Sequence, residues 1–174
     1  MTPDALILLA NLGRPRRPAR HPTPRSEPVL PDSATAGEQL APLVSLPVDE
    51  ADLPALRRVQ QIAEESAESL LAGRTPDCEA MTALARGSTA HVELIAGDVG
   101  LRQEVTWTDS SNSSGLARRL IAELAALDPH RLRRCARDAC DLIFYDTTRS
   151  RTRRWHAEDP CGWRERQQNR RTHQ

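Results

Sequence analysis

Apolar residues recur every three or four positions through much of the chain, and the longest such run predicts an amphipathic helix over about residues 53–72. Asp52 is placed to cap the start of this helix, and Gly73 is placed to close its end. Its apolar face would consist of Leu53, Leu56, Val59, Ala63, Ala67, Leu70 and Leu71. This is the clearest helix in the sequence.

Three further helices are predicted from shorter patterns of the same kind. One covers about residues 34–44, and another covers about residues 76–86 with Thr75 as its cap. The third begins in a polar stretch where Ser113 or Ser114 would cap it. Met81 and Leu84 of the second would face inward, and the apolar face of the third would consist of Leu116, Leu120, Ile121, Leu124 and Leu127.

Two stretches depart from the helical period. Residues 5–12 are apolar almost throughout, and periodicity does not decide between a buried strand and the first turns of a helix. Residues 91–95 and 101–107 alternate apolar and polar side chains around a turn at 97–100, which predicts a β-hairpin. The whole pattern predicts a mainly helical α+β body with one hairpin over residues 1–130.

Residues 14–31 contain six prolines and five arginines. Each proline removes a backbone donor and restricts the residue before it, so this segment is predicted to be an exposed, extended loop. It is either a basic arm that touches phosphate or a solvated insertion. We favour the insertion, since surface loops tolerate such additions.

Charge is distributed unevenly along the chain. The net charge is zero overall, but residues 131–174 carry twelve arginines and six acidic residues, which gives this end +6 and leaves −6 for the rest. Such asymmetry is typical of a protein whose basic end meets a polyanion.

Four metal-binding side chains lie within the same basic end: Cys135, Cys140, His156 and Cys161. Two pairs of ligands, each on a short loop and separated by a strand-length insert, are typical of a structural zinc site, because zinc takes four N or S ligands tetrahedrally. The spacing therefore predicts one structural Zn²⁺ per chain. The alternatives are incidental disulfides, a finger that has lost its metal, and a redox switch at the thiolates.

The residues between and after these ligands complete a small finger over 131–174. Residues 142–145 form an apolar run suited to a strand, and 151–155 are predicted to return as a second strand. Residues 162–171 are rich in helix formers. A knuckle, a hairpin and a helix around one metal ion are typical of a treble-clef-like finger, which we therefore predict. The metal would contribute roughly 10–16 kcal/mol to its folding.

These residues resemble the CGNR-type zinc finger. The resemblance rests on Cys135-x4-Cys140, Phe144, Asp146-Thr147, Arg153-Arg154-Trp155 and Cys161-Gly162-x-Arg164. Fingers of that family close bacterial proteins whose N-terminal part is an ABATE domain, described as stress-induced transcription regulators. The resemblance thus implies an ABATE-like body over 1–130 and DNA binding by the finger. The family usually has cysteine where His156 stands and asparagine where Trp163 stands.

Arginines on the finger are the predicted DNA contacts, because guanidinium groups suit bidentate binding of phosphate or guanine. The predicted contacts are Arg149, Arg151, Arg153, Arg154, Arg164 and Arg166. The alternative is a solvated basic face that docks an acidic partner protein. Trp155 and Trp163 are expected to pack within the finger rather than stack on bases, with Trp163 the more exposed.

The predicted partners are double-stranded DNA, a second copy of the chain, and a small-molecule or protein signal received by the helical body. No catalytic motif is legible, since the sequence has neither a Gly-rich phosphate loop nor a His-Glu-x-x-His pattern; an enzyme is not expected. The apolar run at 5–12 is too short to cross a bilayer and lacks a basic segment ahead of it. A cytoplasmic protein without membrane contact is therefore predicted.

Overall fold

The computed structural model describes residues 2–14, 29–97, 100–138 and 140–172. The helices in these ranges are α1 (Asp4–Asn11), α2 (Ser33–Leu40), α3 (Leu53–Leu71), α4 (Cys78–Ala85), α5 (Asn112–Ala126) and α6 (Trp163–Thr172). The strands are β1 (Ser88–Gly97), β2 (Gly100–Asp109), β3 (Leu132–Arg134) and β4 (Ile143–Tyr145). The predicted class, mainly α with a small β component, is confirmed.

The central helix of the body is α3. It packs against α1, α4 and α5 along the predicted apolar face, where Leu56, Val59 and Ala63 are fully buried. Burying a leucine or valine side chain contributes roughly 1.5–3 kcal/mol. Gly73 closes the helix with a φ of 69°, as predicted. Asp52 stands at the start, but its side chain accepts no capping hydrogen bond.

The apolar run near the N-terminus is a helix, α1, and not a strand. Its first turn is capped from a distant part of the chain, because the buried carboxylate of Glu123 on α5 accepts hydrogen bonds from the backbone N–H groups of Ala5 (3.0 Å) and Leu6 (2.9 Å). These groups have no partner within a helix. The choice of helix over strand therefore depends on a tertiary contact.

Three predicted helix boundaries are wrong by a few residues. Helix α4 begins after Asp77, whose carboxylate accepts from two backbone N–H groups, so Thr75 is not its cap. Helix α5 is capped by Ser111, which exchanges hydrogen bonds with Ser114 in a capping box. Helix α2 ends at Leu40, short of the predicted 44.

The predicted hairpin is present and is longer than expected. Strands β1 and β2 pair antiparallel along their whole length, from Ser88 opposite Asp109 to Gly97 opposite Gly100. At the base, Asp109 accepts a hydrogen bond from Ser88 and forms an ion pair with Arg118 on α5. The hairpin is thus fixed to the body at one end.

The pairing of strands in the finger differs from the prediction. Strand β4 pairs with β3, and not with residues 151–155, which form no strand. Arg151 has a φ of 54°, a left-handed conformation that interrupts an extended strand. Strands β3 and β4 lie against α3 and α1, and Leu132 and Ile143 belong to the core of the body.

Two residues near the ends of the predicted loop at 14–31, Arg14 and Leu30, are buried, contrary to the prediction of an exposed segment. Arg14 is buried and forms ion pairs with Glu64, Glu68 and Asp141, and Leu30 is fully buried. The guanidinium is compensated by three carboxylates, which explains how an arginine is accommodated in the interior. Residues 15–28 lie outside the described part of the chain, so the predicted arm stays a prediction.

Among the described helices, none combines the length and the apolar character needed to cross a bilayer.

Candidate metal centre

The four predicted ligands come together at one point. One ligand atom from each of Cys135, Cys140, His156 and Cys161 lies within 4.8 Å of the others, and the Cys140 Sγ to His156 Nδ1 distance is 3.4 Å. Tetrahedral zinc with bonds of about 2.3 Å to sulfur and about 2.0 Å to nitrogen separates its ligand atoms by about 3.5–3.8 Å. The size and chemistry of the cluster therefore fit one Zn²⁺ bound by three thiolates and one imidazole.

The first pair of ligands lies on a tight turn between β3 and β4. The backbone N–H of Cys135 donates to the carbonyl of Leu142 at 2.9 Å, which continues the β3–β4 ladder by one bond. The N–H of Cys140 donates to the carbonyl of Arg137 at 2.8 Å and closes the turn. Both cysteines are buried. The two backbone hydrogen bonds fix the turn that carries them.

The second pair of ligands is held by the loop that leads into α6. The Arg153 guanidinium donates to the carbonyls of Trp155 and His156, which fixes the backbone on both sides of the imidazole. Cys161 is fully buried at the end of the turn Glu158–Gly162. A Cβ at Gly162 would lie 2.6 Å from a carboxylate oxygen of Glu158, so a larger residue here would displace that exposed side chain.

A buried carboxylate, Asp146, organises the loop between the two pairs. It accepts hydrogen bonds from the N–H and hydroxyl of Thr148 (2.9 and 2.6 Å) and from the N–H of Arg153 (2.9 Å). Burial alone would raise the pKa of Asp146, but the hydrogen bonds from Thr148 and Arg153 and the charge of Arg133 outweigh it and lower the pKa. Asp146 thereby positions Arg153, which in turn positions His156.

Binding of a cation would change the protonation state of this cluster. Burial raises the pKa of Cys140 to about 12 and also raises the pKa of Cys161. Burial, with the nearby charge of Arg153, lowers the pKa of His156, so its imidazole is neutral and free to ligate. A bound divalent cation would stabilise the thiolates that burial disfavours, and folding and metal binding are coupled for this reason.

The six predicted DNA contacts fall into different environments. The side chain of Arg153 is half-buried and is engaged with carbonyls inside the finger. Arg154 and Arg166 are exposed, and their guanidinium groups lie 5.3 and 5.9 Å from the centroid of the Trp155 ring. The Trp155 ring therefore brings one arginine of the loop and one of α6 close together.

The remaining three arginines are exposed as well. Arg151 forms an ion pair with Asp128 at 3.2 Å. Arg149 and Arg164 make no ion pair with any of the residues that the structure describes. These two side chains are consequently the most available to a ligand.

The two tryptophans of the finger differ in burial. Trp155 is half-buried and packs against the cysteine cluster, as expected. Trp163, at the first position of α6, is 53% exposed, so the expectation that it packs within the finger is wrong. The substitution at this position thus places a large aromatic side chain on the surface.

Residues that join the finger to the body were missed by sequence reasoning. The Asn11 side chain donates to the carbonyl of Ile143 at 2.7 Å and accepts from its N–H at 2.9 Å. The carboxylate of Glu68 on α3 accepts from Arg14 and Arg134. We call these residues, with Asp141, the body–finger seam: Asn11, Arg14, Glu68, Arg134 and Asp141.

A Cys3His cluster with one ligand pair on the knuckle between β3 and β4, and the other on the loop that leads into α6, defines a structural zinc finger. The family model of the CGNR zinc finger matches residues 131–174, which confirms the predicted resemblance for this segment. No curated protein matches the chain. The ABATE-like character of residues 1–130, and the boundary at residue 130, stay predictions.

Proposed function

We propose that the chain is a bacterial, cytoplasmic transcription regulator whose zinc finger binds double-stranded DNA. The observation that supports this most directly is the excess of exposed arginine on a finger in which three of the six acidic residues are already engaged. Asp141 is paired with Arg14 and Arg134, and Glu158 is paired with Arg166. Asp146 is buried by its own loop.

Uncompensated guanidinium groups on a folded surface are suited to phosphate. Arg149 and Arg164 lack an acidic partner in the described part of the chain, and Arg154 stands beside Trp155 without one. Each arginine that neutralises a phosphate releases counterions, and binding then weakens steeply with salt. Arg153 is better explained as a positioning residue for His156, since its donors are used inside the finger.

The experiment compares duplex binding by the parent and by an Arg149→Ala/Arg164→Ala variant, followed by fluorescence anisotropy over a series of salt concentrations. The expected result is weaker binding to all duplexes and a log–log salt slope reduced by about two units, one per arginine. Arg58→Ala is the control, because Arg58 is an exposed arginine on α3. Zinc content is measured for each variant to confirm that the finger is intact. Equal binding by parent and double variant would refute the proposed contacts.

A second function, docking to an acidic partner protein, is favoured by the exposure of Trp163, since exposed aromatics and arginines are enriched at protein interfaces. Competition separates the two functions. Excess unrelated duplex DNA should displace a labelled duplex from the finger. If the parent fails to bind any duplex at low salt, the protein-docking function is supported in place of DNA binding.

We further propose that the helical body receives a small-molecule or protein signal. A cleft of about 770 Å³ lies between α1 and the finger, and its walls include Ile7, Leu8, Phe144 and the zinc ligand His156. Ligand pockets typically have volumes of about 300–1,000 Å³. A small molecule in this cleft would touch both the body and the metal centre, and it should change the zinc affinity of the protein when bound.

A further inference from the structure

Arg137 lies in the turn that joins Cys135 to Cys140, and the end of its side chain points inward. Its carbonyl accepts the hydrogen bond from Cys140 that closes this turn. The flanking residues Ala136 and Asp138 are exposed, whereas Arg137 is half-buried and its Nη1 atom is buried. Arginine normally buries its aliphatic stem and keeps the charged head in water. A buried guanidinium nitrogen in so short a turn therefore needs an acceptor close by.

The described residues give this nitrogen no acceptor. Arg137 Nη1 donates no hydrogen bond, and the side chain forms no ion pair with any carboxylate in the described part of the chain. Arg133 differs, because its Nε, which also lacks a hydrogen bond, lies 3.7 Å from the buried carboxylate of Asp146. An unpaired buried donor destabilises a fold, and the cost is greater when the donor is charged. Arg137 thus requires a partner other than a carboxylate.

The side chain of Cys161 is within reach of the Arg137 guanidinium. Burial raises the pKa of the Cys161 thiol, and the guanidinium of Arg137 is one of the neighbours that oppose this rise. A thiol is a weak acceptor, whereas hydrogen bonds to an ionised group are about twice as strong as those between neutral groups. Cys161 must be a thiolate to bind zinc. The thiolate is therefore the acceptor that Arg137 lacks.

The net charge of the zinc site leads to the same residue. Three thiolates carry −3 and the zinc ion +2, and the imidazole is neutral, which leaves −1 on the cluster. A buried charge needs a compensating partner. Two other arginines of the finger are already engaged, since Arg153 donates to two backbone carbonyls and Arg134 is paired with two carboxylates. Arg137 has a buried positive charge that is not used in this way.

We propose that Arg137 stabilises the zinc-bound form by donating a hydrogen bond from its guanidinium to the thiolate of Cys161 and by compensating the net negative charge of the site. Arg137 is a positioning residue, because it contacts a ligand and not the metal ion. Groups that hydrogen-bond to metal ligands typically change metal affinity by about 10–100-fold when they are removed. The inference does not rest on DNA binding, since it concerns only the zinc site.

The test measures the zinc affinity of the full chain at one pH by competition with a chromophoric chelator. Arg137→Gln removes the charge and should bind zinc about 10–100-fold more weakly than the parent. Arg137→Lys keeps the charge and should recover part of this loss. Arg170→Ala removes an exposed arginine of α6 and should match the parent. If Arg137→Gln binds zinc as tightly as Arg170→Ala, or if Arg137→Lys is no better than Arg137→Gln, the inference is overturned.

A spectroscopic measurement separates the hydrogen bond from a general loosening of the finger. With Co²⁺ in place of Zn²⁺, the thiolate-to-metal charge-transfer band reports on the sulfur lone pairs, which a hydrogen bond lowers in energy. Its loss in Arg137→Gln should therefore shift the band to longer wavelength at saturating Co²⁺. Arg133→Gln is the structural control: Arg133 contacts Asp146 and the carbonyl of Arg151, so its loss loosens the loop but should leave the band in place. An unshifted band in Arg137→Gln, or an equal shift in the two variants, would exclude the bond to the thiolate.

Discussion

A single carboxylate connects the chain between the two ligand pairs to the metal centre. Asp146 is fully buried and satisfies three donors on the loop that follows it. Through the N–H of Arg153 it also fixes the guanidinium that holds the carbonyl of His156. Asp146, one of the residues that carry the CGNR resemblance, thus has a structural role, which lies in the hydrogen bonds it accepts from Thr148 and Arg153.

Asp146→Asn is expected to destabilise the finger by about 2–3 kcal/mol, because the amide NH₂ would face a donor and leave it unpaired. Denaturant unfolding of the zinc-loaded protein measures this change. Asp138→Asn, an exposed acid on the knuckle, serves as the control and should change stability by less than about 0.5 kcal/mol. Equal stability of the two variants would show that Asp146 does not organise the loop.

Helix α1 shows that a local sequence pattern is not sufficient to distinguish a helix from a strand. Its residues are apolar on all sides, and a strand and a helix were equally consistent with them. The helix is selected by Glu123, which lies more than a hundred positions away and caps the first turn. The carboxylate also pairs with Arg119 one turn earlier on α5.

Glu123→Ala should cost about 2 kcal/mol, because two backbone donors of α1 lose their acceptor in the interior. Thermal unfolding followed by circular dichroism measures the loss. Glu65→Ala, on the exposed side of α3, removes a carboxylate without burial and should have little effect. If both variants unfold at the same temperature as the parent, the Glu123 cap contributes nothing to the stability of α1.

The elements that sequence reasoning placed well are those with strong local signals. Helix α3 and the β1–β2 hairpin follow their periodicity, and the four zinc ligands follow from spacing because each pair lies on a short loop. The caps of α4 and α5 were missed since several Asp and Ser residues compete within a few positions. The pairing of β4 with β3 was missed because Arg151 leaves the extended region, which no pattern in 151–155 revealed.

At the scale of the whole molecule, the body and finger are joined by buried polar contacts. Arg14 reaches three carboxylates on α3 and the knuckle, and Asn11 pairs with both backbone groups of Ile143. Loss of any one of these carboxylates would leave the buried charge of Arg14 less well compensated and would destabilise the fold. Sequence reasoning could not find it, because Arg14 opens a proline-rich segment and its partners lie far along the chain.

The stability of the body–finger seam should depend on pH through the carboxylate of Glu68. Burial alone would raise the pKa of Glu68, but hydrogen bonds from Arg134 and Arg14 outweigh it and lower the pKa. A carboxylate with a lowered pKa adds stability above its unfolded pKa of about 4.3, and this stability is lost as pH falls through the folded value. The stability difference between the parent and Glu68→Gln should therefore be largest above about pH 5 and vanish on further acidification. A difference that is independent of pH would contradict the role of Glu68.

Metal analysis of protein purified without chelator shows directly whether Cys135, Cys140, His156 and Cys161 hold one zinc ion. His156→Cys, which restores the ligand usual in the family, should retain one zinc per chain, as should the parent. His156→Ala should lose zinc to a competing chelator far more readily, because one of the four ligands is gone. A parent without zinc, or a His156→Ala variant that holds the metal as tightly as the parent, would show that these four residues do not form the zinc site.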